Sequence, residues 1–358
     1  MINILDKIKQ CNIVGRHTWK DQILYLGHSA SYIEFRFKGT KLEVSLITDL
    51  YKDKDDKEDI YHAWLAVFIN NNEEPVKRIE LSSRQETFSV FESTSEQEIS
   101  IRLMKYSESA FSKLGFQSIL LEGELLSPPP RKTRRIEFIG DSITCGYGVE
   151  GESNSDLFTT EEENPMLAYA CQTAKLLDAD FQLVSWSGIG IITNYVDETV
   201  NEPFLDRWLM PALYEYADGE LDRSLQKATY EVWDNKRYIP DLVVIYLGTN
   251  DASYTRGIKE RQEHFANEYG KFLDQVRMRN QQAYILCVLG SMNQELCEIE
   301  QRQVLSKQEN GDDKIKFLTL PLQEEKDGLG THGHPTPITH QKVAKQIAYV
   351  VREWIDWN

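Results

Sequence analysis

The chain has no apolar run of the roughly 20 residues that a membrane-spanning helix needs, so none is expected. Basic residues are in short supply: 40 Lys and Arg stand against 57 Asp and Glu, a formal charge of -17. Nucleic acid and anionic membrane surfaces require a basic face, so neither is expected as a partner. Cysteine is sparse, and Cys11, Cys145, Cys171, Cys287 and Cys297 show no paired spacing. An odd, scattered set suits reduced thiols better than a disulfide frame. No Gly-x-Gly-x-x-Gly opens a helix, so a dinucleotide site is not expected. His332-Gly333-His334 offers two histidines without a carboxylate or cysteine beside them, a poor metal set. Neither a metal nor another cofactor is expected. The opening Met1-Ile2-Asn3-Ile4-Leu5-Asp6-Lys7 lacks a basic region followed by an apolar core, so the expected location is the cytoplasm. The oligomeric state leaves no mark in the sequence.

What is present is globular. Of 358 residues, 41% are hydrophobic, and a chain of that length is expected to form two domains rather than one core. Residues 30–126 read as strands. Ile33, Phe35 and Phe37 alternate with Glu34 and Arg36, as on a half-buried strand, and Leu42, Val44 and Leu46 repeat the pattern beyond a turn at Gly39. Tyr51 to Asp59 is a mixed-charge run that reads as a solvated loop. Trp64 to Ile69, Val76 to Leu81, Ile99 to Leu103 and Ile119 to Leu126 complete the set, with Asn70-Asn71-Asn72 as a turn. Many short strands with turn signals and no helical period predict a β-sandwich of jelly-roll type over 1–127. No row of exposed aromatics is legible in it, so a structural role is favoured over sugar binding. Ser127-Pro128-Pro129-Pro130 reads as a stiff, extended linker within 128–135. The basic residues Arg131, Lys132, Arg134 and Arg135 read as solvated surface.

From 136 to 358 strands alternate with helices, the pattern of a parallel α/β sheet. Strands are expected at Ile136–Ile139, Leu183–Ser185, Leu242–Leu247, Tyr284–Leu289 and Ile315–Leu318. Helices are expected from Asn164-Pro165 onward, from Phe265 to Met278 and from Val343 to Trp354. Five strands with helices on both faces make a flavodoxin-like, three-layer sandwich. The connection from Tyr195 to Tyr238 is long and rich in aromatic residues. Such a segment is usually a lid, a wall of a site or an inserted helix.

Ser142 follows the first of these strands, in Gly140-Asp141-Ser142-Ile143-Thr144. The carboxyl edge of such a sheet is where sites form, and unpaired amides there can receive developing negative charge. Ser187-Gly188 follows the second strand, Gly248-Thr249-Asn250-Asp251 the third, and His334-Pro335 lies near the end. Each is an ordinary turn taken singly. As an ordered set after successive strands they point to nucleophilic chemistry. Cys145 reads as a small buried thiol in the first helical turn.

In these four pieces the chain resembles the SGNH (GDSL-like) hydrolases, and most narrowly the family 2 carbohydrate esterases. Phe35-Arg36-Phe37-Lys38-Gly39-Thr40, Tyr246-Leu247-Gly248-Thr249-Asn250-Asp251 and Val288-Leu289-Gly290-Ser291-Met292 extend the likeness over nearly the whole chain. The resemblance implies an N-terminal jelly roll before an SGNH hydrolase domain. It implies Ser142 as nucleophile and His334 as base, with the amides of Ser142 and Gly188 and the side chain of Asn250 as oxyanion hole. The implied activity is removal of O-acetyl groups from carbohydrates such as xylan or glucomannan and their oligomers. A lipase or thioesterase of the same superfamily and a non-catalytic carbohydrate-binding protein are the alternatives. The chain departs from the pattern at Thr331, where the superfamily usually has an Asp. It departs again at His332 and Gly333, where family 2 often has Asp and an aromatic. A Ser–His dyad oriented by a backbone carbonyl is therefore expected, with Asp327 as the possible third member of a triad.

Overall fold

The computed structural model describes residues 1–49, 61–70, 72–151 and 157–357. The charged run from Tyr51 to Asp59 and the middle residue of the asparagine turn lie outside the described residues. By its internal contacts the chain divides into two units. One holds Met1–Arg131 with two later segments, Thr159–Glu163 and Ala217–Glu231. The other holds Lys132–Phe158, Asn164–Tyr216 and Val232–Asn358.

The first unit is an antiparallel sheet. Its strands are β1 (Ile2–Asn3), β2 (Asn12–Val14), β3 (His17–Lys20), β4 (Ile23–Leu26), β5 (Tyr32–Ile47), β6 (Trp64–Ile69), β7 (Lys77–Glu80), β8 (Gln85–Lys105) and β9 (Leu114–Leu126). They run in the order β3-β4-β9-β5-β8-β6-β7, with β1 on β9 and β2 on β5. The turn expected at Gly39 is not one, because β5 runs straight through it for 16 residues. Gly39 pairs with Gly123 of β9, and a Cβ on Gly39 would lie 2.2 Å from the carbonyl oxygen of Glu122. The glycine therefore serves close backbone approach. The register slips between Gly39 and Lys41. That slip moves the inward set from odd positions (Ile33, Phe35, Phe37) to even ones (Leu42, Val44, Leu46), and all six enter one core. A bulge thus keeps both halves of a long, curling strand facing the jelly-roll core. The first half of β8 escaped the sequence pattern because most of its side chains are exposed. Pro129, in the expected linker, accepts a 2.8 Å hydrogen bond from the Asn12 side chain.

The second unit is built on five parallel strands: β10 (Arg134–Gly140), β11 (Ala179–Ser185), β12 (Leu242–Tyr246), β13 (Tyr284–Ser291) and β14 (Ile315–Leu322). Their order is β11-β10-β12-β13-β14, that of a doubly wound sheet. β12 is buried along its whole length, as a strand covered on both faces must be. The order reverses between β10 and β12, so the crevice where ligands bind opens above those two strands. The unit's helices begin with α1 (Ser142–Cys145), α2 (Tyr169–Leu176) and α3 (Met210–Leu213). After the first unit's α4 (Gly219–Ser224) come α5 (Thr249–Thr255), α6 (Lys259–Arg279), α7 (Cys297–Glu309) and α8 (Pro337–Ile355). Asn164 does not cap α2. Its side chain accepts from the Met166 amide at 3.1 Å in a preceding turn, and the helix starts at Tyr169. Arg134 is not solvated surface: it begins β10 and donates to the Leu177 carbonyl at 2.9 Å. In the long connection Tyr214, Trp233 and Tyr238 are buried and fill core, whereas Tyr195 is 60% exposed.

Candidate active site

Strand β10 ends at Gly140, and Asp141 starts α1 by accepting from the Ile143 amide at 3.0 Å. This cap fixes Ser142 as the first helical residue above the strand. Ser142 keeps 7% of its surface exposed. Its amide and that of Gly188 donate to no group among the described residues.

His334 arrives from the other end of the sequence. Its Nε2 lies 2.8 Å from Ser142 Oγ, and its Nδ1 lies 3.0 Å from the Thr331 carbonyl oxygen. A carbonyl can only accept, so the proton sits on Nδ1 and Nε2 is left to accept from the serine hydroxyl. The loop that carries Thr331 is tied down on several sides. The Thr331 amide donates to the Gly148 carbonyl at 3.1 Å, and the Gly330 amide donates to the His334 carbonyl at 2.8 Å. Gln323 donates from its side chain to the Gly333 carbonyl at 2.8 Å. The Tyr147 ring packs 4.6 Å from the His334 ring, and its hydroxyl lies 2.9 Å from His332 Nδ1. Both histidine rings thus have protein partners.

Asp327 is not joined to His334. Its carboxylate pairs with Lys342, which also reaches Glu324 at 3.1 Å. Removal from water pulls the His334 imidazole down to about 4. The hydrogen bond to Thr331 works against that shift, and the charge of His332 adds to it. Thr331 could not have been found from the sequence as the orienting group. Its contribution is a carbonyl, which every residue carries.

Asn250 is the second residue of α5, above β12. Its Nδ2 donates to the Ile189 carbonyl at 2.8 Å and more weakly to Asp141 Oδ2 at 3.3 Å. The first bond fixes the side-chain amide, and the second is the longer and weaker of the two. Asp251, quoted in the motif but given no role, anchors the facing loop. Its buried carboxylate accepts from the amides of Ile191 and Ile192 at 2.9 and 2.8 Å. Burial raises its pKa to about 6, with those amides working against the rise. Cys145 is buried and donates to Ser185 Oγ at 3.2 Å, so it is no rival nucleophile.

The sheet, with Ser142, Gly188 and Asn250 after its first three strands in chain order and His334 bonded to the serine, is that of an SGNH hydrolase. Residues 138–342 match the model of the GDSL-like lipase/acylhydrolase family, to which the chain belongs, and residues 13–130 match the carbohydrate esterase 2 N-terminal model. The chain is 30% identical over 335 residues to the cellulase/esterase CelE of Acetivibrio thermocellus. That match takes in 92% of this chain and 37% of CelE, so the chain spans little over a third of that relative. It is 26% identical to an acetylxylan esterase/glucomannan deacetylase of Cellvibrio japonicus, covering 83% of this chain and 78% of that one. A family two carbohydrate esterase from Clostridium thermocellum, solved with cellohexaose, superposes with a TM-score of 0.84 at 28% identity. The superposition covers 97% of this chain and 100% of the other.

A carbonyl-oriented dyad has a clear consequence for Asp327. In Asp327→Asn, kcat/KM should change by less than about tenfold, because only the ion pair with half-exposed Lys342, away from His334, is lost. The acid limb of kcat/KM should not move. His334 must be neutral to take the serine proton, so activity should persist to about pH 5 and fall as pH drops through about 4. A loss of about a thousandfold in a folded variant would instead make Asp327 a third member of the site.

Proposed function

We propose that the protein is a serine esterase that removes O-acetyl groups from carbohydrates through an acyl-enzyme on Ser142. The observation that carries this reading is the 2.8 Å contact between His334 Nε2 and Ser142 Oγ, with the other ring nitrogen held by the Thr331 carbonyl. His334 takes the hydroxyl proton as Ser142 Oγ attacks the acetyl carbonyl. The oxyanion forms against the amides of Ser142 and Gly188 and the Asn250 side chain. His334 then returns the proton to the sugar oxygen, which leaves, and the same histidine activates the water that releases acetate. The acidic chain suits a neutral sugar better than a polyanion.

Tyr195 supports a sugar substrate. Its amide donates to the Gly188 carbonyl at 2.8 Å and its side chain is 60% exposed, so an aromatic face stands beside the oxyanion loop. Gly333 stands where family 2 often has an aromatic before the catalytic histidine. Without that ring, short acetylated oligosaccharides are the preferred substrates. Five free cysteines, four of them buried, suit a reducing compartment and support a cytoplasmic location.

Acetate release from acetylated xylo-, manno- and gluco-oligosaccharides tests the substrate class. Acetate esters should be cleaved faster than octanoate esters, and acetylated oligosaccharides faster than intact acetylated xylan or glucomannan. Faster cleavage of octanoate would favour a lipase, and binding without turnover would favour a carbohydrate-binding protein. Tyr195→Ala should raise KM for oligosaccharides and leave p-nitrophenyl acetate nearly unaffected, since the small ester has no sugar to stack.

A further inference from the structure

Glu300, on α7, is fully buried, and the chemistry described so far does not use it. Neither of its carboxyl oxygens has a hydrogen-bond partner among the described residues. A buried carboxylate in that state would be very costly. Its position gives the burial a meaning. Gly248, with φ +111°, caps the start of α5, and Asn250 stands two residues further on. A Cβ built on Gly248 would lie 2.5 Å from Glu300 Oε1. The Glu300 carboxyl therefore occupies the space a side chain at 248 would take, directly beneath the turn that presents Asn250. Leu289 of β13 closes the same space, with Cδ2 3.3 Å from that built position.

Resting on the esterase reading, we propose that Glu300 is a positioning residue that, as the neutral acid, supports the Gly248–Asn250 turn and so aims the Asn250 amide at the oxyanion. Burial raises its pKa well above the usual carboxylate range. The titratable groups facing it are Tyr269 of α6, Asp251 of α5, Cys287 of β13 and Cys297 of α7 itself. None of them is basic. The Tyr269 hydroxyl faces the carboxyl and works against that rise, though short of full hydrogen-bond geometry. Ionisation of Glu300 would place an unpaired charge under the oxyanion donors, where it opposes the negative charge of the tetrahedral intermediate. Activity should therefore fall on the alkaline side as Glu300 loses its proton.

The linkage has a definite sign. A free Glu ionises near pH 4.3. Below that, Glu300 is neutral in both folded and unfolded states. As pH rises, only the unfolded chain gives up the proton until the raised folded pKa is reached, so stability is lost across that window. A neutral glutamine has no such dependence.

The test compares Glu300→Gln, which keeps shape and neutrality, with Glu300→Ala, which removes the support. Each is followed by kcat and KM for p-nitrophenyl acetate against pH and by Tm against pH. The side-chain amide signal of Asn250 is followed by NMR. E300Q should keep kcat within about threefold at neutral pH, lose the alkaline limb, and gain Tm relative to wild type as pH rises. E300A should lower kcat by about tenfold or more with KM little changed. The Asn250 signal should titrate on the alkaline side in wild type and stay fixed in E300Q. An alkaline limb shared by wild type and E300Q, or an Asn250 signal that titrates alike in both, overturns the proposal. Wild-type acetate release is read separately. If it is absent, the esterase reading fails, and the NMR titration still decides whether Glu300 governs the Asn250 turn.

Discussion

Ser142→Ala is expected to lower kcat for acetyl esters by about ten thousandfold or more while leaving the protein folded. Removing a nucleophile that acts with its base as a unit removes nearly the whole catalytic gain, because neither partner works alone. In this site Ser142 Oγ is the atom 2.8 Å from His334 Nε2, and among the described residues no other hydroxyl or thiol is hydrogen-bonded to that nitrogen. Cys145 is three residues on, yet its thiol is buried and already bonded to Ser185. The structural cost should be small. One hydrogen bond of about 1 kcal/mol is lost. The Asp141 cap that starts α1 uses the Ile143 amide and survives. Circular dichroism and thermal unfolding check the fold, and initial rates on p-nitrophenyl acetate check the loss. Residual turnover above about a hundredth of wild type would show that the acyl group is not carried by Ser142.

Asn250→Ala should lower kcat by about a hundredfold or more with little change in KM. The reason is where the charge develops. The ground-state carbonyl asks little of the amide, whereas the tetrahedral intermediate places a full negative charge against it. A donor of this kind is typically worth roughly 3–4 kcal/mol of barrier. In the free site Nδ2 holds Ile189 at 2.8 Å and Asp141 at 3.3 Å, so the side chain is already aimed and gives up only the longer bond. An alanine also removes the support of the Ile189 carbonyl, which lies next to Gly188. Asn250→Asp separates the two effects, since it keeps the shape but puts an acceptor where a donor is needed. It should be at least as inactive as the alanine variant. An effect confined to KM would assign Asn250 to ground-state sugar binding instead.

The parallel sheet was legible because its strands are buried on both faces and so read as short continuous apolar runs. Leu242 to Tyr246 is the plainest case, buried throughout. The placement of Ser142, Gly188 and Asn250 on one edge followed from those strands, since loops after parallel strands share an edge. Local patterning failed where a residue's reason lies on another strand. Gly39 looks like a turn until Gly123 is brought opposite it. Asn164-Pro165 looks like a helix start, yet Asn164 spends its side chain on the Met166 amide inside a turn. α7 shows little periodicity because few of its residues face inward, and one of those is the charged type Glu300.

The amino-acid sequence by itself determined the two sheet types, the order of the site residues and the absence of an acid at position 331. Those are carried by side-chain identity and spacing, which a sequence displays. Only the tertiary structure decided what orients His334, because the partner is the Thr331 main-chain carbonyl, a group with no signature in any sequence. It also gave the Asp327 carboxylate a partner other than His334. Seven positions separate Asp327 from His334, but the carboxylate turns to Lys342 on α8. The same holds for Glu300 and Gly248. They are 52 positions apart, and the space one leaves is filled by the other only once α7 packs against β13 and β14.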